Sequence, residues 1–82
     1  MELQDILQEV TKIFTHVLEN PGILLKEETT AADIEDWDSL NHIHLVVAIE
    51  KRFNVRFTSK ELRSFANVGD LCRALLVKGA KP

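Results

Sequence analysis

Apolar side chains recur every three or four residues along the first stretch of the chain, the spacing of one face of an α-helix. They are Leu3, Ile6, Leu7, Val10, Ile13, Phe14, Val17 and Leu18. The pattern predicts an amphipathic helix over residues 2–19, stopped by Asn20-Pro21-Gly22, because proline cannot continue a helix. No stretch alternates apolar and polar residues as a strand does, so the sequence predicts an all-α protein.

Three further helices are predicted after the first. Residues 39–53 form the second helix, with Asp38 as its N-cap. Thr58-Ser59-Lys60-Glu61 matches a capping box that opens a short third helix, and Asn67-Val68-Gly69-Asp70 is a weaker box that opens a fourth. A chain of 82 residues has room for one domain, residues 1–82. The predicted fold is therefore a small four-helix bundle with three longer helices and one short helix.

The connection between the first two helices, residues 20–37, shows no sustained period and is long for so small a domain. Five apolar residues are expected to pin it across the helices: Ile23, Leu24, Leu25, Ile34 and Trp37. Its acidic residues should face water. The last four residues, 79–82, are expected to fray.

Two apolar stripes run along the predicted second helix. Advancing 100° per residue from Ser39 places Leu45, Val46, Ile49 and Phe53 between about 240° and 340°, and we assign this core stripe to the interior. The other stripe, here called the outer stripe, consists of Leu40, Ile43 and Val47 at about 40° to 100°. It is either covered by the long connection or exposed to bind a partner, and the geometry alone leaves both possibilities open.

Charge is divided unevenly along the chain. Residues 1–39 carry ten acids and two bases, whereas residues 40–82 carry three acids and eight bases. This asymmetry suggests that charge orients a partner, but the acidic first half would repel phosphates and argues against nucleic acid. The sequence has no signal peptide at its start and no apolar run of membrane-spanning length. We therefore expect a cytoplasmic monomer without a membrane span.

Two chemistries near Ser39 are disfavoured by the residues around it. His42 follows Ser39 by three positions, but there is no nucleophile elbow and the chain is too short to build a pocket with oxyanion donors, so no catalytic residue is predicted. His42 and His44 point about 200° apart on a helix and cannot share a metal ion. No metal site is predicted, and His42 is expected to be partly buried and bonded to the connection.

Covalent modification of Ser39 is the remaining chemical hypothesis. A serine in the first turn of a helix is exposed where backbone N–H groups converge, and a phosphate ester formed there would be stabilised by the helix N-terminus. Asp38 could help a modifying enzyme to hold a divalent cation. The simpler interpretation is that Asp-Ser is only a good helix start, and the residues alone leave both interpretations open.

The sequence resembles the acyl carrier protein family. The resemblance is carried by Asp38-Ser39-Leu40, by the following Leu45-Val46-Val47-Ala48-Ile49-Glu50, by Phe53, and by the order of the helices over nearly the whole chain. It implies that Ser39 carries 4′-phosphopantetheine, attached from coenzyme A by a separate phosphopantetheinyl transferase, and that the protein itself is not an enzyme. The arm would hold an acyl group as a thioester and deliver it to enzymes of fatty-acid, polyketide, modified-lipid or related biosynthesis. The alternative is an unmodified helical module for protein–protein interaction.

The resemblance also implies which residues recognise partners. They are Asp38, Leu40, Ile43, Val47 and Glu50, while the core stripe faces the interior and an acyl cavity. The generic fatty-acid carrier has acids at four positions after its serine, where this chain has Asn41, His44, Glu50 and Lys51, so only Glu50 keeps the charge. Arg52, Arg56 and Arg63 make the neighbourhood basic, and Trp37 stands where the generic carrier is rich in glycine. We therefore expect a specialised carrier that binds less well to partners with basic docking faces.

Overall fold

The computed structural model describes residues 2–79, which contain four α-helices and no strand. They are α1 (Leu3–Val17), α2 (Ser39–Phe53), α3 (Ser59–Ser64) and α4 (Val68–Val77). The predicted all-α bundle of three longer helices and one short helix is confirmed, and α2 has the predicted bounds. Fraying was predicted for residues 79–82, of which residues 80–82 lie outside the described residues.

The helices enclose one apolar core, in which α1 packs against both α2 and α4. The largest fully buried side chains are Phe14, Phe53, Ile6, Leu45, Ile49, Leu75, Val10, Val68 and Cys72. They come from the apolar faces that the helical periodicity predicts, and full burial of each large aliphatic or aromatic side chain contributes about 1.5–3 kcal/mol. The core stripe of α2 supplies three of these side chains, so it fixes which side of α2 remains outside.

The end of α1 differs slightly from the prediction. The helix ends at Val17, with Leu18 as its C-cap, rather than at residue 19. Glu19 adopts a left-handed backbone with φ of 52°. A left-handed residue after the last turn is a common way to end a helix, so the chain already leaves the helical path before Pro21.

Backbone hydrogen bonds tie the connection between α1 and α2 onto the first turn of α4. The N–H of Val68 donates to the carbonyl oxygen of Thr29 over 2.8 Å, and the N–H of Gly69 donates to that of Glu27 over 2.7 Å. First-turn N–H groups have no partner within their own helix, so the connection caps α4. The side chain of Arg73 adds an ion pair to Glu27 at 3.0 Å.

The apolar anchors of the connection behave as predicted with one exception. Ile23 and Leu25 are buried, and Ile34 and Trp37 pack partly buried against the core. Leu24 is 74% exposed, so its prediction as an anchor was wrong. Neighbouring side chains in an extended segment point to opposite sides, and burial of Ile23 and Leu25 leaves Leu24 outside. The connection also contains a short 3₁₀ turn, Ala31–Asp33, that the sequence did not predict.

The two predicted capping boxes form to different extents. At α3, Glu61 N–H donates to Thr58 Oγ1 and Thr58 N–H donates to Glu61 Oε1, so the reciprocal pair is complete. At α4, Asn67 accepts from the N–H of Asp70, but the Asp70 carboxylate accepts from the N–H of Ala66 instead of Asn67. The weaker box is therefore half formed, as its poorer match to the pattern suggests.

Candidate functional site

Ser39 lies exposed at the first position of α2. The predicted N-cap is confirmed, because Asp38 Oδ1 accepts from the N–H of Asn41 over 2.8 Å. The Asn41 side-chain amide donates back to the carbonyl oxygen of Asp36 over 2.8 Å. These two bonds hold the acidic approach against the helix, so the backbone at Ser39 has a defined position. The sequence did not predict the contact between Asn41 and Asp36, because nothing in the pattern of a helix indicates that an amide side chain will bond to the preceding loop.

The outer stripe of α2 is open to solvent. Leu40 is 66% exposed, Ile43 61% and Val47 44%, whereas Leu45, Ile49 and Phe53 of the core stripe are buried. The connection between α1 and α2 therefore does not cover the outer stripe. The sequence left open whether this stripe is covered or exposed, and the structure shows that it is exposed. An apolar strip of this kind beside an exposed serine forms a surface that a partner protein can bind.

An apolar cavity of about 150 Å³ lies beneath α2. All four helices or their ends contribute to its walls, which include Phe14, Leu45, Ile49, Leu62, Phe65 and Leu71. Val46, the half-buried member of the core stripe, also lines it. Short helix α3 thus has a structural role that its sequence did not reveal, because it closes one side of this cavity.

Trp37 and His42 lie between Ser39 and the cavity. The indole Nε1–H donates to Nδ1 of His42 over 3.1 Å, and the indole packs edge-on against the Phe14 ring with centroids 4.9 Å apart. The predictions that Trp37 pins the connection and that His42 is partly buried and bonded to it are both confirmed. Because His42 accepts at Nδ1, that nitrogen carries no proton in this arrangement.

The two ends of α2 differ in charge. The Ser39 end has the acids Glu35, Asp36 and Asp38, whereas exposed Lys51 and Arg56 share a surface hollow with Val47 at the other end. Neither of these two cations forms an ion pair within residues 2–79.

Two other charged residues of α2 are bonded inside the protein. Arg52 pairs with Glu9 of α1 and so is drawn toward the bundle. Glu50 Oε2 accepts from the backbone N–H of Phe57 over 2.8 Å, and the residue is half-buried. The role of Glu50 in partner recognition stays a prediction, and the basic character of this end depends on Lys51 and Arg56.

In the described part of the chain, no group of three or more histidine, cysteine, aspartate or glutamate side chains is placed to hold a metal ion. His42 bonds to Trp37, whereas His44 is exposed on another side of α2. None of the helices between residues 2 and 79 combines the length and apolar character needed to cross a membrane.

The single cysteine lies in the core, away from Ser39. Cys72 on α4 is fully buried, and this burial raises the pKa of its thiol to about 12, with a smaller contribution from the Glu27 carboxylate. A neutral buried thiol behaves as a small apolar side chain, so Cys72 packs rather than reacts.

Comparisons with known proteins agree with this geometry. Residues 2–75 match the family described as "Phosphopantetheine attachment site". An acyl carrier protein from Acidothermus cellulolyticus is 33% identical over 67 residues, 82% of this chain and 80% of that protein. One from Wolinella succinogenes is 37% identical over 49 residues, 60% of this chain and 64% of that protein.

A solved structure shares the fold. The solution structure of a holo acyl carrier protein from Geobacter metallireducens superposes with a TM-score of 0.84 at 40% identity, covering 89% of this chain and 84% of that one. The prosthetic group of the matching family, 4′-phosphopantetheine, fits the residues present. An exposed hydroxyl stands at a helix N-terminus, which favours a phosphodiester, and a surface hollow lined by Ala31, Trp37, Asp38, Ser39 and His42 lies beside it. The match over almost all of the described chain, together with this shared fold, shows that the chain belongs to the acyl carrier proteins, the family with a phosphopantetheine attachment site.

Proposed function

We propose that Ser39 is the attachment point for 4′-phosphopantetheine and that the chain carries an acyl group as a thioester on that arm. The observation that carries this proposal is the exposed hydroxyl at the first position of α2, fixed by the Asp38 cap and adjoined by the outer stripe. Ser59 occupies the same position of α3 but has no comparable apolar strip on its short helix. Position and surface together favour Ser39.

The attachment is a phosphoryl-type transfer in which this chain supplies the nucleophile. The Ser39 Oγ forms a bond to the phosphorus that bears the pantetheine arm of coenzyme A, and the pyrophosphate P–O bond breaks. The hydroxyl proton passes to a base of the transferase, and 3′,5′-adenosine bisphosphate leaves. The bound arm supplies a thiol that holds the acyl group. Asp38 and Asn41 keep the start of α2 in place, and no residue of this chain has to act as a catalyst.

Delivery to partner enzymes would use the outer stripe. Leu40, Ile43 and Val47 offer apolar contact, with Asp38 at one end and Glu50 near the other. The unpaired cations Lys51 and Arg56 support a specialised carrier, because they would repel the basic docking faces that suit an acidic α2. We propose service in a polyketide, modified-lipid or related pathway of the cytoplasm rather than in generic fatty-acid synthesis.

Intact-mass measurement tests the attachment. The full chain is incubated with coenzyme A and a broad-specificity phosphopantetheinyl transferase, and the expected result is a mass gain of one phosphopantetheinyl group. Ser39→Ala should abolish the gain, and the matched control Ser59→Ala should retain it. A gain that survives Ser39→Ala, or no gain with several transferases, would contradict the proposal.

The exposed outer stripe also favours a second candidate, an unmodified module that binds partners through α2 alone. This candidate requires Ser39→Ala to leave cellular function intact. Loss of function with Ser39→Ala, at unchanged folding by circular dichroism, would exclude it.

A further inference from the structure

The surface hollow beside Ser39 contains one side-chain donor that no other group within residues 2–79 uses. The hollow is lined by Ala31, Trp37, Asp38, Ser39 and His42. Ala31 has no polar side-chain atom, an ionised Asp38 only accepts, and the Trp37 indole N–H already donates to His42. Ser39 would lose its hydroxyl proton on modification. His42 is therefore the side chain of this lining that can still donate a hydrogen bond.

The bond to Trp37 determines which nitrogen of His42 donates. Nδ1 accepts the indole N–H over 3.1 Å, so in the neutral imidazole the proton lies on Nε2. Nε2 has no hydrogen-bond partner within residues 2–79, yet no buried side-chain nitrogen or oxygen atom of those residues lacks a partner. The half-buried ring therefore presents its Nε2–H to solvent rather than to the interior.

The position of His42 on α2 brings this N–H near any group attached to Ser39. The two residues are three positions apart, and side chains with that spacing are neighbours on a helix surface, with about 5–6 Å between their Cβ atoms. Helical side chains also lean toward the N-terminus of their helix, so the His42 ring extends over the turn that contains Ser39. Both residues line the same hollow, which shows that they face the same side of α2.

A phosphodiester on Ser39 would be an anion beside the Asp38 carboxylate and would need donors to offset that repulsion. Asp38 accepts the backbone N–H groups of Asn41 and His42, which leaves those of Ser39 and Leu40 in the first turn of α2. A ring N–H beside the same oxygens would add a hydrogen bond to a charged group, and such bonds are stronger than those between neutral groups.

We propose that His42 Nε2–H donates to a phosphate oxygen of the phosphopantetheine arm and so anchors the base of the arm in the hollow beside Ser39. This inference rests on the proposed attachment of the arm to Ser39. Trp37 is a positioning residue, because its indole N–H keeps the proton of neutral His42 on the nitrogen that faces the arm. The contact fixes the direction in which the arm leaves the protein.

Phosphorus NMR of the unacylated holo chain tests the contact, because amino acids contain no phosphorus and the arm brings a single phosphodiester. A phosphodiester does not titrate between about pH 5 and pH 8, whereas histidine does. The phosphorus resonance should therefore move with pH in this range. The nearby acids Glu35, Asp36 and Asp38 are carboxylates, which titrate at lower pH. The helices packed behind His42 add no titratable group, since the lining of the cavity beneath α2 contains no other one.

Salt distinguishes a direct hydrogen bond from the effect of a distant charge. At about 1 M ionic strength the screening length falls to about 3 Å, so the influence of a remote charge on the phosphate is largely removed. The movement of the phosphorus resonance with pH should persist under these conditions. A resonance that is independent of pH, or a movement that disappears at high salt, would overturn the contact and leave the carrier function standing. Absence of a phosphopantetheinyl mass gain would overturn both.

Matched histidine variants assign the movement to one residue. His42→Leu should abolish it in the holo chain, whereas His44→Leu, at an exposed histidine on another side of α2, should retain it. Circular dichroism verifies that both variants are folded. A movement that survives His42→Leu would overturn the proposal, and the pH and salt titrations of the parent chain decide the question if that variant does not fold.

Trp37→Phe tests the positioning role of the indole. Nitrogen NMR spectra of the imidazole rings should show neutral His42 of the parent with its proton on Nε2. In folded Trp37→Phe protein, Nδ1 has lost its donor, so both neutral tautomers should be populated. Unchanged tautomer populations would overturn the positioning role of Trp37.

Discussion

The backbone N–H of Gly69 donates to the carbonyl oxygen of Glu27 over 2.7 Å, and a Cβ atom on Gly69 would lie 2.8 Å from that same oxygen. Real Cβ atoms do not approach a backbone oxygen so closely, so the contact requires glycine. It joins the first turn of α4 to the connection that leads to Trp37 and Ser39. The position of the candidate site thus depends on a residue 30 positions later in the chain than Ser39.

Gly69→Ala should destabilise the protein. The methyl group would push the connection away from α4, and overpacking of this kind costs about 1–3 kcal/mol of unfolding free energy. Urea unfolding followed by Trp37 fluorescence measures the loss. Gly22→Ala is the matched control, because a Cβ there meets only the Asn20 side-chain oxygen at 3.4 Å, an ordinary contact. Equal stability of the two variants would contradict the prediction.

Reversing the basic end of α2 should change which partners accept the carrier. The double variant Lys51→Glu, Arg56→Glu should raise kcat/KM with fatty-acid enzymes that have basic docking faces. The increase should be a few-fold, and at most about tenfold, because the two new charge pairs with the docking face would be exposed to solvent. Assays of the holo chain at low salt maximise the effect, because charge screening is then weakest. Unchanged kinetics at low salt would remove the electrostatic argument.

Arg52→Glu is the informative contrast to that reversal. Arg52 pairs with Glu9, so a glutamate there places two carboxylates side by side between α1 and α2. The variant should melt at a lower temperature than Lys51→Glu, although the two residues are neighbours in the sequence. Lys51 and Arg52 are therefore not equivalent as docking charges, because Arg52 is paired with Glu9 inside the protein.

Val47→Asp should weaken partner binding without weakening the fold. Val47 is 44% exposed in the outer stripe, so the unfolding free energy of the variant should stay within about 0.5 kcal/mol of that of the parent protein. Loss of an apolar contact in a docking surface should lower the rate of transfer by the phosphopantetheinyl transferase at least about fivefold. Val77→Asp, at an 87% exposed valine of α4, is the control and should keep the parental rate. Equal rates for the two variants would count against the outer stripe.

Cys72 should be unreactive in the folded protein. Its thiol is fully buried and its pKa is raised to about 12, so only about one thiol in 10⁵ is ionised at pH 7. An aromatic disulfide reagent should react rapidly with no thiol of the folded unmodified chain, and with one thiol of the holo chain, that of the phosphopantetheine arm. In urea, which exposes Cys72, the unmodified chain should show one rapidly reacting thiol. A fast thiol in the folded unmodified protein would contradict the burial of Cys72.

The Asp70 carboxylate should contribute to stability at neutral pH and lose that contribution in acid. The N–H of Ala66 and the Arg73 guanidinium hold the pKa of Asp70 below 3.8. A lowered folded-state pKa means that the contribution is present above the unfolded value and disappears as the pH falls through the folded one. Asp70→Asn should therefore melt below the parent at neutral pH, and the difference should shrink below pH 3.8. A difference in melting temperature that is constant with pH would contradict this. Asp36→Asn is the control, because the exposed Asp36 carboxylate forms no hydrogen bond or ion pair within residues 2–79.

The parts of the site that the sequence predicted correctly depend on local spacing. The Asp38 cap, the bounds of α2 and the split between core and outer stripes all follow from residues within one helix. The Trp37–His42 bond was predicted only as a contact of His42 with the connection, because two aromatic partners five residues apart across a helix start have no fixed geometry in the sequence.

Contacts between distant segments could not be predicted in this way. The Gly69–Glu27 bond joins residues 42 positions apart, and the pairing of Arg52 with Glu9 spans 43. The packing of the whole bundle determines which distant residues meet. Periodicity and capping patterns are local and do not predict this packing. The exposure of Leu24 likewise depends on which side of the extended segment the core selects.

The burial of Cys72 has a consequence for the integrity of the cargo. A thiolate is a nucleophile that can attack a thioester, and this exchange moves the acyl group from one sulfur to the other. The only sulfhydryl that this polypeptide itself contains is enclosed in the core and almost wholly protonated. The folded carrier therefore cannot draw the acyl group onto its own cysteine between loading and delivery, and unfolding would remove that protection together with the docking surface.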